Sequence, residues 1–283
     1  MFKILKKEDI AQDTKLFIVS APDIAKKSKA GQFVILRVNE HGERFPLTIA
    51  DYDRDNNTIS LIVQVVGSST MKMAHLIVGE NIVDVAGPLG RETHIEKYGT
   101  VVLVGGGIGI ACINPIAKEL KKAGNRVVSI LGAKGKNRMF WVDRLKAASD
   151  SVHTVTDDGS YGDKGLVSDE LLRLIKQGEK IDLVMAVGPA IMMKAVSEVT
   201  RPYNIKTLVS LNSIMVDGTG MCGGCRVEVD GRTRYACVDG PEFDGRLVNF
   251  DLLIKRQSMY KEHEGQAAEK CRLELNKDGN RKK

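Results

Sequence analysis

The chain has 283 residues, enough for two or three domains with cores of their own. Its hydrophobic (43%) and charged (28%) fractions are ordinary for a soluble protein, and the formal charge of +6 is modest and partly terminal (Arg281-Lys282-Lys283), so no nucleic acid is needed to explain it. No apolar run approaches the ~18 residues of a membrane span, and Met1–Lys7 is charged too early and too often for a secretory signal.

Five cysteines, three of them clustered, argue against a disulfide framework and for a reduced, cytoplasmic setting. A basic surface also suits an acidic redox partner.

From residue 1 to about 97, short runs alternate apolar and polar positions. Strands are expected at Phe2–Leu5, Lys15–Ser20, Gln32–Val38, Leu47–Asp51, Thr58–Val65 and Asn81–Ala86, separated by turn signals such as Asp55-Asn56-Asn57 and Gly87-Pro88-Leu89-Gly90. This spacing predicts an antiparallel barrel. One short helix is expected over Ser69–Leu76, with Ser68 or Ser69 as its N-cap.

Near Thr100 the pattern changes. Val101–Val104, Val127–Leu131, Val152–Val155, Leu183–Val187 and Thr207–Val209 are short apolar runs. Between them, segments of helical period lie at about Asn114–Lys122, Met139–Ala148, Val167–Lys176 and Ala190–Val199. Such alternation predicts a parallel sheet covered on both faces, over residues 98–210. Asn114-Pro115 reads as an N-cap with proline at the first helical position, and Gly124 as the stop.

Residues 211–250 are expected to form a third, small segment. Asp217–Cys237 is glycine-rich and holds Cys222, Cys225 and Cys237, with Asp217 four intervening residues before the Cys-x-x-Cys pair. Plant-type ferredoxins space their ligands C-x₄-C-x₂-C…C. With Asp217 in the first slot the pattern fits, which points to a [2Fe–2S] cluster held by three thiolates and one carboxylate. Gly218, Gly220, Gly223 and Gly224 let the backbone curl around it. The rival readings are a zinc site, which lacks a nearby histidine, a thioredoxin-like dithiol, which the third cysteine disfavours, and a plain Asp-Gly turn at Asp217. Beyond it, Val238–Asp244 is turn-rich and Phe250–Ile254 reads as a last short helix. The polar residues from about 257 read as a surface tail within a terminal segment 251–283.

Four more stretches carry chemistry. Gly105-Gly106-Gly107-Ile108-Gly109 follows a strand and leads to a helix, the context for holding a pyrophosphate on backbone amides. It departs from the dinucleotide fingerprint: Ile110 takes the third glycine position, and Gly132-Ala133-Lys134, not an acid, ends the second strand. A glycine turn without ligand is the alternative. Asp157-Asp158-Gly159 follows the third strand; carboxylates there accept ribose hydroxyls and repel a 2′-phosphate, favouring NAD over NADP, or else form a solvated turn. In the barrel, Arg44-Phe45-Pro46-Leu47-Thr48 and Gln64-Val65-Val66-Gly67-Ser68-Ser69-Thr70 are plausible phosphate contacts, the second running a strand into a helix N-terminus. His75, Cys112, Trp141 and Cys271 are read as structural or surface residues.

Together these stretches, with Ala30-Gly31-Gln32-Phe33 and Gly188-Pro189, resemble the ferredoxin–NADP reductase superfamily over nearly the whole chain. The resemblance is to the branch of the dihydroorotate dehydrogenase electron-transfer subunit, and within it to the small (alpha) subunits of NADH-dependent reduced ferredoxin:NADP oxidoreductase. It implies a Greek-key FAD barrel, then an NAD-binding α/β domain, then a [2Fe–2S] segment. FAD would lie along Pro46–Thr48 and Gln64–Thr70, and NAD(H) over Gly105–Gly109, Asp157–Gly159 and Gly188-Pro189-Ala190. The dihydroorotate branch has cysteine in the first cluster slot; Asp217 here matches the closer subfamily. Where superfamily members carry Arg-x-Tyr-Ser or Arg-Pro-x-Ser, Phe45 takes the arginine position and Arg44 stands one residue earlier, which leaves open what neutralises the flavin phosphate.

The function implied is NAD(H)–FAD–[2Fe–2S] electron exchange within a bifurcating complex. The partners would be a larger subunit with a second flavin and [4Fe–4S] clusters and, through it, ferredoxin and NADP(H). The alternative is an electron-transfer subunit of another enzyme, such as a dihydroorotate dehydrogenase or a hydrogenase. No side-chain general base is expected, because the cofactors carry the hydride chemistry.

Overall fold

The computed structural model describes residues 2–281; Met1, Lys282 and Lys283 lie outside the described residues. The N-terminal third is an antiparallel sheet curled on itself. Its strands are β1 (Phe2–Ala11), β2 (Thr14–Ser20), β3 (Phe33–Arg37), β4 (Arg44–Asp53), β5 (Thr58–Gln64), β6 (Asn81–Ile82) and β7 (Asp84–Leu89), in the order β6-β1-β2-β5-β4-β3-β7. Helices α1 (Pro22–Lys27), which the turn-based reading passed over, and α2 (Ser68–His75) fill the connections. Phe17, Val19, Leu36, Ile49, Ile59, Leu61 and Val63 form its core. Leu16, Ala50 and Ile62 are buried too, but against the next domain. Strands buried on both faces lose the clean alternation of a half-exposed sheet, as β5 shows.

The second half is a parallel sheet of β8 (Thr100–Gly106), β9 (Arg126–Ala133), β10 (Ser151–Thr156), β11 (Asp163–Lys164), β12 (Leu183–Val187) and β13 (Thr207–Ser210). Helices α3 (Gly109–Lys122) and α4 (Val142–Ala148) pack on the barrel side. Helices α5 (Val167–Lys176) and α6 (Ala190–Thr200) pack on the other. The cluster segment adds a hairpin, β14 (Arg226–Val229) and β15 (Arg232–Tyr235), and a strand, β16 (Glu242–Asp244), antiparallel to β13 at the sheet edge. Asp230 and Gly231 both take positive φ between β14 and β15, the turn that Asp-Gly favours in two-residue hairpins.

Three expectations are corrected. Helix α3 starts at Gly109, so Asn114 and Pro115 are interior. Proline there forgoes one helical hydrogen bond, while Ile110, Ala111, Ile113 and Ile116 are buried around it. Asn114 caps nothing; its side-chain amide donates to the Ala50 carbonyl (3.1 Å) and ties α3 to the barrel. The turn-rich Val238–Asp244 contains β16. The tail beyond 257 is helical: α7 (Phe250–Gln257) is followed by α8 (Lys261–Arg281), which packs on α2. Among the residues of α8 whose burial is described, a narrow seam, Ala268 and Cys271, is buried, and its sequence shows no amphipathic stripe.

On α5 the buried Glu170 carboxylate accepts a hydrogen bond from Arg173 Nε (2.7 Å) and faces His153 Nδ1 (2.7 Å). Arg173 above all holds this carboxyl below its usual range. A depressed carboxyl stabilises the fold above its unfolded pKa and loses that contribution as pH falls through the native value. Glu170→Gln is therefore expected to cost about 1–2 kcal/mol at pH 7, with the difference from the parent shrinking below about pH 4.5, the ordinary glutamate value. Urea denaturation at pH 7 and pH 4 checks this.

Candidate functional site

The glycine loop sits where β8 hands over to α3. Gly107 has φ +56° with open space where a Cβ would be, and its N–H donates to the Gly132 carbonyl (2.8 Å). Gly109 approaches β12 so closely that a Cβ would lie 2.0 Å from the Val187 oxygen. Val187 pairs with Gly105, so Gly188, Pro189 and Ala190 emerge beside the loop, and a Cβ on Gly188 would lie 3.1 Å from the Gly106 carbonyl. Two helix N-termini, of α3 and α6, thus open on one edge with backbone N–H groups ready for an anion. Asp157 and Asp158 lie on the same edge after β10, beyond β9. Ser160 donates to Asp158 Oδ1 through its hydroxyl (2.6 Å) and N–H (2.9 Å), which holds that carboxyl low and commits it to its own turn. Asp157 is exposed.

In the barrel, Phe45, Pro46, Leu47 and Thr48 pair with Leu36, Ile35, Val34 and Phe33 on β3. Gln64 ends β5, and the Val65 N–H donates to the Asp13 carbonyl (2.7 Å). The N-cap of α2 is Gly67, not Ser68 or Ser69. Thr70 does the capping: its hydroxyl accepts from the N–H groups of Val66 (3.1 Å) and Gly67 (3.0 Å). Ser69 donates its hydroxyl to Glu43 (2.7 Å). The N–H groups of Ser68, Ser69 and Thr70 head the helix, where no carbonyl of the same helix reaches them. Cys112 is buried near Thr48, and burial pushes its thiol up to about 11, which suits a packing role.

The cluster loop is pressed onto this barrel. Gly218, at φ +81°, leaves no room for a side chain: a Cβ would lie 2.6 Å from Ile35 Cγ1 and 2.8 Å from Leu89 Cδ1. Asp217 Oδ2 accepts from the N–H groups of Thr219 (3.1 Å) and Met221 (3.3 Å) and from the Thr219 hydroxyl. The Thr219 hydroxyl first, with the more distant Arg44 charge last, holds the Asp217 carboxyl low. Cys222 is exposed and takes the Gly224 N–H at 3.5 Å, which lowers its thiol. Cys225 and Cys237 are buried, their Sγ atoms 3.1 Å apart and unbonded. Burial pushes Cys237 up to about 12, as a thiolate in an apolar site requires until a cation offsets its charge. An inner pair of sulfurs and an outer Asp217–Cys222 pair suit a two-iron cluster, whose ligands are shared between two centres.

One contact had no warning in the sequence. Glu242 on β16 accepts the Thr93 hydroxyl (2.5 Å), and Gly31 packs over both. The residue is half-buried, but its carboxyl lies among these atoms, and desolvation pushes it up to about 7.

Residues 1–94 match the oxidoreductase FAD-binding domain, and residues 212–249 match the iron–sulfur cluster binding domain of dihydroorotate dehydrogenase B. A Thermotoga maritima protein described as a dihydroorotate dehydrogenase B (NAD(+)) electron transfer subunit homolog is 48% identical over 93% of this chain and 92% of its own. The Fusobacterium nucleatum dihydroorotate dehydrogenase B electron transfer subunit is 34% identical over 83% and 92%. The chain belongs to this electron-transfer subunit family. A chain in a solved structure of the NADH-dependent reduced ferredoxin-NADP oxidoreductase, described for flavin-based electron bifurcation, superposes with TM-score 0.91 at 46% identity, covering 95% and 97% of the two chains. Phthalate dioxygenase reductase shares the fold alone (TM-score 0.59, 18% identity). As a member of the family, the chain is an oxidoreductase subunit with an FAD-binding barrel and an iron–sulfur segment. Among the described residues no helix is long and apolar enough to cross a membrane.

Glu242 makes a stability prediction. A carboxyl whose native pKa is raised contributes stability below its unfolded pKa and loses it as pH rises through the native value. Between about 4.5 and about 7 the parent should lose up to roughly 3 kcal/mol, at about 1.4 kcal/mol per pH unit. Glu242→Gln is expected to abolish this slope, so that the variant gains on the parent up to pH 7. Thermal melts from pH 4 to pH 8 read it directly; parallel curves would contradict it.

Proposed function

We propose that the chain passes electrons between NAD(H), FAD and a [2Fe–2S] cluster as the small subunit of an electron-bifurcating NADH/NADPH/ferredoxin oxidoreductase. The observation that carries this reading is Asp217, in the first slot of the ligand spacing and on the loop that presses against the barrel. The TM-score of 0.91 with the bifurcating oxidoreductase chain supports it.

The residues take these roles. Gly105–Gly109 and Gly188–Ala190 line the NAD(H) diphosphate, which the N–H groups at the starts of α3 and α6 receive (the Gly107 N–H is taken by Gly132 and Pro189 has none), while Asp157 meets ribose hydroxyls and repels a 2′-phosphate. Pro46, Leu47 and Thr48 line the flavin ring. Gln64, Val65 and Gly67 shape the turn that aims the N–H groups of Ser68, Ser69 and Thr70 at the FAD diphosphate. This assigns charge stabilisation to the helix start and leaves Arg44, whose charge bears on Asp217, between flavin strand and cluster. Asp217, Cys222, Cys225 and Cys237 hold the iron. The hydrogen bonds to Asp217 all reach Oδ2 or its turn, leaving Oδ1 for the metal. Flavin supplies the exchange between two-electron and one-electron carriers. The chain's own work is to orient the nicotinamide against the flavin and hold the cluster near its edge.

The larger partner carries a second flavin and [4Fe–4S] clusters and exchanges with ferredoxin and NADP(H). The second reading, a dihydroorotate-oxidising complex, draws on the names of the relatives. Native co-purification separates the two by the identity of the second subunit. Purified chain should contain one FAD and about two irons; zinc without flavin contradicts the reading. Asp217→Cys should keep the iron content but shift the cluster's EPR spectrum and reduction potential. An unchanged signal would show that Asp217 is not a ligand.

A further inference from the structure

Helix α8 has no place in the electron path, yet it is docked. Helix α7 belongs to the nucleotide and cluster half: it packs on α6 and β14, Arg256 donates to the Gly224 carbonyl (3.3 Å), and the Gln257 amide donates to the Asn212 carbonyl (2.9 Å). Three residues separate α7 from α8, which lies against α2 on the barrel. The C-terminal segment therefore crosses from one half of the molecule to the other.

The docking seam is narrow and specific. Ala268 and Cys271, one helical turn apart, are buried, while Ala267, Glu269, Lys270 and Arg272 around them are exposed. The Cys271 thiol points at the carbonyl of Ser68 (3.7 Å), the first residue of α2. Apart from α8, helix α2 is held by Met73, its one buried residue, by the Thr70 cap, and at its far end by Lys7 Nζ, which donates to the Ala74 (2.6 Å) and Leu76 (2.8 Å) carbonyls. A helix of eight residues owes its stability to tertiary contacts rather than to its own propensity, and the contact from Cys271 falls on its first turn, where Ser68, Ser69 and Thr70 present their N–H groups.

We propose that α8 is a cofactor strap: docked through Ala268 and Cys271, it fixes the first turn of α2 in its diphosphate-binding geometry and so slows the release of FAD. This rests on the reading of Ser68–Thr70 as the FAD diphosphate site. Ala268 and Cys271 touch no cofactor; they are positioning residues that act through α2.

The test uses the full chain loaded with FAD. In Ala268→Glu/Cys271→Arg, which places charge on the seam, FAD released after dilution, followed by flavin fluorescence, should appear about tenfold faster than in the parent. The iron–sulfur absorbance should be unchanged, and the near-isosteric Cys271→Ser should release FAD at close to the parental rate. If the double variant does not fold, Ala268→Gln takes its place, with a release about threefold faster. Amide hydrogen exchange at Met71 of the FAD-free chain, whose N–H donates to the Gly67 carbonyl (2.9 Å) and so closes the first turn of α2, should quicken in the same variants, which a purely global effect would not localise. Equal release rates, or unchanged exchange at α2, overturn the strap while leaving the flavin site standing. A parent chain that holds no FAD overturns both.

Discussion

The contact of Gly218 with Ile35 and Leu89 is the constraint on which the arrangement depends. Electron exchange between a flavin and a cluster needs the two close, and here the cluster loop meets the barrel with no side chain between. Ile35 pairs with Pro46, so the loop rests on the strand next to the one assigned to the flavin ring. A residue with a Cβ at position 218 would push the loop off the barrel or force the barrel side chains to move.

The same logic runs through the rest of the molecule. Close approach of backbones, not charge, builds the nucleotide edge: Gly109 against Val187 and Gly188 against Gly106 bring β8, β12 and two helix starts to one line. The barrel and the α/β domain share a buried seam in which Leu16, Ala50 and Ile62 meet Ile110 and Ile113, and Asn114 adds a hydrogen bond across it. Thr93 and Glu242 tie the linker after the barrel to the end of the cluster segment. These contacts make three modules one unit, which a relay of three cofactors requires.

The arrangement of charge is local and sparse. Cys222 sits exposed among backbone N–H groups, whereas Cys225 and Cys237 are buried, so the two ends of the proposed ligand set differ in their surroundings before any metal is considered. Asp217 joins the exposed end, held by its own turn. The turn reading and the ligand reading of this residue are therefore compatible, because they use different oxygens of one carboxylate.

The order of modules and most elements were legible in the sequence, since period-2 and helical patterns report on neighbours a few residues away. Helix α5 and strand β12 fall where the apolar pattern places them. The spacing on which the ligand proposal rests is local for the same reason: a cluster held by one loop needs its ligands at short, fixed separations. The misses share a different cause. Asn114-Pro115 carries a local start signal that burial of the surrounding helix overrides. Helix α8 carries almost no apolar signal, because among its described residues the buried seam is made by two small side chains, Ala268 and Cys271. Glu242 raised no flag, because a glutamate's pKa depends on what covers it. Local spacing is written in the chain; which distant residue covers, pairs with or crowds another arises only once the chain is folded, and that decided where the loop from Asp217 to Cys237 meets the barrel.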